Sequence, residues 1–200
     1  MAANPKTLKA LNRIIAASPP FVKGSRRAVL GEGPLHPDLA LVGEQPGDTE
    51  DREGRPFVGP AGKLLDKALA EAGIERKSVY VTNAVKHFKF EPRGKRRLHA
   101  RPRAGEVKHY IWWLKKELDI VKPKIIVAMG ATATHALAGK SLSVNAHRGR
   151  VEFEGWSGFI TVHPSSLLRI KNDIDRRAAF RRFVADLKGA KKWARREGGG

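Results

Sequence analysis

Three short polar clusters in this chain carry the residue types that chemistry on a polyanion needs. The first is Lys95-Arg96-Arg97-Leu98-His99, a histidine closing a run of cations. Cations hold a phosphate backbone by charge, and a neutral imidazole beside them can serve as base or nucleophile. The second is Gly43-Glu44-Gln45-Pro46-Gly47, a carboxylate and a carboxamide in a loop stiffened by proline and eased by glycine. The third is His163-Pro164-Ser165-Ser166-Leu167-Leu168-Arg169. Taken singly, each reads as an ordinary solvated loop. Their positions in the chain join them.

Four short, nearly continuous apolar runs lead into polar residues. Leu39-Ala40-Leu41-Val42 ends in Gly43, Val79-Tyr80-Val81 in Thr82-Asn83, Ile125 to Met129 in Gly130, and Phe159-Ile160-Thr161-Val162 in His163. Such runs fit strands buried on both faces of a parallel sheet. Between them, Leu64, Leu65, Ala68, Leu69 and Ala72 recur at helical spacing before Gly73, and Val107, Ile111, Leu114 and Leu118 do so before Pro123. A last helix carries Phe180, Phe183, Val184 and Leu187. The pattern predicts a three-layer α/β/α domain around a central, mainly parallel four-stranded sheet. In open parallel sheets, sites form beyond the carboxyl ends of the strands, where Gly43, Glu44, Asn83 and His163 all fall. Residues 88–105, rich in Arg, Lys, Pro and Gly, are long for a connection and suggest a functional loop. A single domain over residues 1–190 and a basic, glycine-ended tail over 191–200 are expected.

The bulk properties agree with a polyanionic partner. Lys and Arg number 39 against 20 Asp and Glu, a net charge of +19. Hydrophobic residues make up 41% of the chain, too many for a wholly disordered protein. No apolar run approaches the roughly 20 residues of a membrane-spanning helix, and a signal peptide is not visible, so a cytoplasmic, nucleoid-associated monomer is expected. With no cysteine, disulfides, thiol catalysis and thiolate-held metal are excluded. The remaining histidines show no metal spacing, and no metal is expected.

Gly43-Glu44-Gln45-Pro46-Gly47, Gly54-Arg55-Pro56-Phe57-Val58-Gly59, Thr82-Asn83-Ala84-Val85-Lys86 and the His163 to Arg169 segment occur in this order. Together they resemble the uracil-DNA glycosylase superfamily from about Leu39 to Arg169. The first segment, with Lys95 to His99, is similar to the UdgX branch, near the iron–sulfur family 4 enzymes. Members of that branch excise uracil and stay covalently joined to the abasic sugar through the loop histidine. Those relatives typically hold a 4Fe–4S cluster on cysteines, which this chain lacks. Apolar packing around Tyr110, Trp112, Trp113 and Pro19-Pro20-Phe21 is expected in its place.

The resemblance implies a role for each site residue. His163 donates to uracil O2 as the glycosidic bond breaks, and Asn83 presents a donor and an acceptor to the N3 and O4 edge, which cytosine mismatches. Phe57 stacks on the flipped base; Gly43 and Gln45 line its pocket. Glu44 acts near C1′, and His99 attacks it in a single-turnover reaction. Lys95, Arg96, Arg97, Ser165 and Arg169 contact DNA, single- or double-stranded, and Leu167 and Leu168 form a wedge in the space that the flipped nucleotide leaves. The flanking cations keep His99 neutral.

Two other readings remain. One is a conventional glycosylase in which Glu44 directs water and His99 only binds. The other is a non-catalytic, basic nucleic-acid binder. A zinc base deaminase is disfavoured, because it needs cysteine ligands.

Overall fold

The structure is a computed structural model and describes residues 4–197. Strands β1 (Leu39–Gly43), β2 (Tyr80–Asn83), β5 (Ile125–Met129) and β7 (Trp156–Thr161) form the parallel part of one sheet, in the order β2-β1-β5-β7. A further strand, β6 (Gly149–Phe153), pairs antiparallel with β7 and gives the sheet five strands where four are expected. Its residues alternate between half-buried and exposed up to Phe153, the signature of an edge strand with one solvated face. That pattern lacks the continuous apolar run that betrays the inner strands.

The strand period of two divides the core. Leu39, Leu41, Val81, Ile125 and Val127 face α3 (Pro60–Glu71) and α7 (Asp173–Glu197). Ala40, Val42, Tyr80, Ile126 and Ala128 face α4 (Ala104–Val121) and α5 (Ala131–Ala138). Burying one leucine of either layer is worth about 1.5–3 kcal/mol. A short N-terminal helix, α1 (Leu8–Ala17), is capped by Thr7 and packs on α4. Helix α4 ends at Lys122, whose left-handed backbone (φ 51°) returns its amide to Leu118 before Pro123 forbids another turn.

Two connections differ from expectation. The segment from residue 88 is largely a two-stranded hairpin, β3 (Phe90–Arg93) against β4 (Arg96–His99), with Phe90 opposite His99. The basic segment from residue 191 continues α7 to Glu197, because Trp193 and Ala194 are buried against the core and anchor its last turns. The terminal glycines of the expected tail, residues 198–200, lie outside the described residues.

Chain order reverses between β1 and β5, since β1 leads to β2 on one side while β5 lies on the other. The loops beyond these carboxyl ends therefore part there and leave a crevice.

Candidate functional site

A cleft of about 930 Å³ opens at this crevice, lined among others by Glu44, Gln45, Phe57, Asn83, His99 and His163. The strand ends fix its floor. Gly43 closes β1 and lies in register with Asn83 at the end of β2. A Cβ built on Gly43 would collide with Asn83 Oδ1, lie 2.6 Å from Phe57 Cζ and 3.3 Å from His163 Nε2. Glycine is required because the side chains of Asn83, Phe57 and His163 converge on this point.

Two of the three point unpaired polar atoms there: Asn83 Oδ1 and His163 Nε2 are buried with no hydrogen-bond partner among the described residues. Orphaned polar atoms in a buried position are costly unless a ligand satisfies them. His163 caps α6 (Pro164–Leu168): its Nδ1 accepts from the Ser165 amide at 3.2 Å and lies 2.8 Å from Ser165 Oγ. An accepting Nδ1 puts the ring proton on Nε2, toward the cleft. Burial, then the neighbouring charges of His99 and Arg169, pull the His163 pKa down to about 4. The imidazole is thus a neutral donor at neutral pH.

Phe57 supplies the aromatic wall. It is buried, its ring lies 6.1 Å from that of His163, and its backbone is left-handed (φ 56°). A non-glycine residue held there stores roughly 1–3 kcal/mol of strain. Glu50 steadies the loop: its carboxylate accepts from the Gly47 amide (3.1 Å) and the Gly59 amide (2.8 Å), the N-cap residues of α2 (Asp48–Glu53) and α3.

The other wall is the hairpin, which carries His99. His99 Nε2 lies 2.9 Å from Gln45 Nε2 and 3.5 Å from Glu44 Oε1. The Gln45 amide also donates to the Lys89 and Ala100 carbonyls (both 3.1 Å) and accepts from the Lys89 amide (3.1 Å). Its two amide hydrogens serve three acceptors, so His99 is the one that can turn to another partner without orphaning a carbonyl. Gln45 thereby clips both ends of the hairpin to the β1 loop while still lining the cleft. Glu44 also accepts from Thr132 Oγ1, on α5 across the crevice. Partial burial of the imidazole lowers the His99 pKa; Glu44 opposes this and Arg169 adds to it. Arg169 is thus the cation with the largest effect on His99, rather than the flanking Lys95, Arg96 and Arg97.

Arg97 faces inward. Its guanidinium pairs with Asp48 (2.5 Å) and Asp51 (2.6 Å) and lies over Phe88 and Phe90, 5.3 and 5.0 Å from the ring centroids. Burial alone would raise the Asp51 pKa, but hydrogen bonds from Arg97, the Arg26 amide and Ser25 hold it below the ordinary value. Arg97 is therefore a hairpin anchor, where a phosphate contact is expected. Lys95 and Arg96 are exposed at the hairpin turn, with no ion-pair partner among the described residues. In α6, Leu167 is 1% exposed and packs in the core, while Leu168 is 47% exposed. Of the two, Leu168 is the one with exposed surface for the expected wedge. Ser165 orients His163, and Arg169 reaches back to Ser165 Oγ (3.4 Å).

Thr132, Glu50 and Arg101 are site residues that the motifs do not announce. Thr132 follows Gly130 at the end of β5, so the strand-end logic that finds Asn83 and His163 finds it as well.

An iron–sulfur cluster does not fit this chain, which has no cysteine. Among the described residues, no group of three or more His, Asp or Glu side chains could hold a metal ion. In the region around Phe21 and Tyr110, Phe21 stacks on His109 (4.4 Å), its amide donates to Tyr110 Oη (3.3 Å), and Tyr110 Oη lies 2.7 Å from His87 Nδ1. Burial pulls the His87 pKa down to about 4. Trp112, half-exposed, meets Trp113 edge-on instead of joining this stack.

A neutral buried donor, an orphaned amide oxygen and a phenyl wall around one glycine define a pocket for a flat, polar-edged ring, under a cationic rim. The chain belongs to the uracil-DNA glycosylase superfamily, whose family model, described as "Uracil DNA glycosylase superfamily", matches residues 30–188. It is 39% identical over 173 residues to a Type-4 uracil-DNA glycosylase of Thermotoga maritima, covering 85% of this chain and 84% of that protein. A Type-4 uracil-DNA glycosylase of Pyrobaculum aerophilum is 36% identical over 159 residues, 75% of this chain and 78% of its own. A Type-5 uracil-DNA glycosylase of the same organism is 31% identical over 153 residues, 68% and 64% of the two chains.

Proposed function

We propose that the protein excises uracil from DNA and that His99 then captures the sugar, giving a UdgX-type single-turnover adduct. The observation that carries the excision reading is the convergence of Asn83, Phe57 and His163 on Gly43. The names of the relatives support uracil in DNA as the substrate.

The chemistry balances in atoms and charge. Uracil is flipped into the cleft and stacks on Phe57, while Asn83 Oδ1 accepts from N3–H and its amide donates to O4. The C1′–N1 bond breaks with its electron pair leaving on uracil. His163 Nε2–H, a neutral donor in a buried site, stabilises the charge that develops on O2. Glu44, beside His99 on the cleft wall, stabilises the cationic sugar. The lone pair of neutral His99 then forms a bond to C1′; uracil departs as the anion and the alkylated imidazole holds the positive charge. An N-alkyl imidazolium does not hydrolyse readily, so the complex persists. Gln45 and Arg97 hold the hairpin where this attack is intramolecular.

The test is a denaturing gel of protein incubated with a labelled single-stranded oligonucleotide containing one uracil, beside a thymine control and His99→Ser. A heat- and SDS-resistant band that needs both uracil and His99 is expected. Alkali-cleavable DNA without that band would leave a turning-over glycosylase; the absence of both products would overturn excision.

A further inference from the structure

A second groove begins where the main cleft ends. It lies between α3 and α7 with a volume of about 320 Å³, and Leu168 lines both it and the cleft. Helical spacing builds it: Leu64, Lys67 and Glu71 fall on one face of α3, and Arg177, Phe180 and Arg181 on the facing side of α7. The Phe180 ring is half-buried and forms an apolar floor, with Lys67 Nζ 5.3 Å from its centroid. Four cations line the groove against Glu71 as the single acid. Arg176 is committed to the α6–α7 turn, through Asp173 and the Ile170 carbonyl. Arg177 and Arg181 are exposed and have no carboxylate partner among the described residues. Apart from Leu167 and Leu168 at its border with the cleft, neither the motifs nor the excision chemistry uses this surface.

We infer that this groove is an accessory DNA subsite, which takes a nucleotide beyond the wedge on one side of the flipped uracil. Its base lies on Phe180 and its phosphates meet Arg177 and Arg181. The inference rests on the reading of the main cleft as the flipped-nucleotide site, because continuity through Leu168 sets the path of the strand. An aromatic floor with free guanidinium groups at its edge is the chemistry of an unpaired nucleotide, giving stacking for the base and charge for the backbone. Such a subsite adds affinity without sequence preference, since every base has a π-face.

The test measures fluorescence anisotropy with single-stranded oligonucleotides that carry a tetrahydrofuran abasic analogue. That analogue has no glycosidic bond, so neither excision nor capture occurs. One oligonucleotide extends several nucleotides on both sides; two others stop just beyond the analogue, on the 5′ or the 3′ side. Arg177→Ala/Arg181→Ala is expected to weaken binding of the long oligonucleotide roughly tenfold and to flatten its salt dependence by about one unit of log–log slope. It should leave one of the two truncated forms unaffected. Phe180→Leu, which keeps an apolar side chain, should weaken the same oligonucleotides without changing the slope. Equal losses on all three lengths would reduce the arginines to bulk charge and overturn the subsite, as would no loss at all. Failure of the wild-type protein to bind the long oligonucleotide would instead overturn the reading of the main cleft, and the groove with it.

Discussion

At the scale of single residues, the site separates two histidines by what surrounds them. His163 is half-buried with its Nε2 enclosed, its Nδ1 is occupied by Ser165, and its Nε2–H has no partner among the described residues. His99 is 48% exposed, beside a carboxylate and a carboxamide. In the proposed mechanism the first donates to the leaving base and the second attacks the sugar. His163→Ala removes a buried donor aimed at developing charge, so uracil release in a single turnover should slow by about a hundred- to thousandfold, with DNA affinity little changed. The proposed attack needs His99 as the neutral imidazole, and its pKa is lowered from the ordinary histidine value of 6.5. A lowered pKa extends the neutral form to more acidic pH. The second-order rate constant for adduct formation, which reports the free protein, should therefore fall to half its plateau only below pH 6.5. A decline centred at or above that value would contradict the assignment.

At the scale of elements, the site depends on pairings between segments distant in sequence. Gln45 and Arg97 join the hairpin to the β1 loop and to α2. Beneath the floor, Lys86 forms a buried ion pair with Glu117 of α4 (2.5 Å) and donates to the Asn83 carbonyl (2.9 Å). Tyr80 and Thr82 donate to the same carboxylate, and burial with this charge pushes the Tyr80 phenol pKa up. Removing one partner of a buried pair costs about 3–5 kcal/mol, because the other charge is left uncompensated, whereas replacing both with apolar groups is close to neutral. Lys86→Met should accordingly lower the midpoint of chemical denaturation strongly, and Lys86→Met/Glu117→Met should recover most of the loss. Elements with periodic, continuous apolar patterns were legible before the structure: the four inner strands, α3, α4 and α7. Strand β6 and the hairpin were not. Each has a solvated face, and the hairpin is held by side-chain clamps whose partners lie some 40 to 55 positions away in sequence.

At the scale of the whole molecule, a charge of +19 covers a chain without a cysteine to ligate an iron–sulfur cluster. The stack of Phe21, His109, Tyr110 and His87 ties the N-terminal segment to α4 and to the end of β2. No thiolate is available for iron, so the purified protein should contain no stoichiometric iron, and a strong iron chelator should leave both melting temperature and uracil release unchanged. The charge made a polyanionic partner legible, and the strand ends located Gly43, Glu44, Asn83 and His163. Composition could not separate cations that meet DNA from cations spent inside. Arg97 is inside, pinned by two aspartates, while Lys95 and Arg96 beside it are exposed. Leu167 and Leu168 divide the same way, because a single helical turn sends neighbours to opposite sides.

The proposed single-turnover capture requires a bond between His99 and the sugar. The most direct measurement is tandem mass spectrometry of the adduct after nuclease and trypsin digestion. The predicted result is a sugar-phosphate remnant on the histidine of the tryptic peptide that begins at Leu98. An unmodified His99, or the remnant carried by another residue such as Glu44, would contradict it.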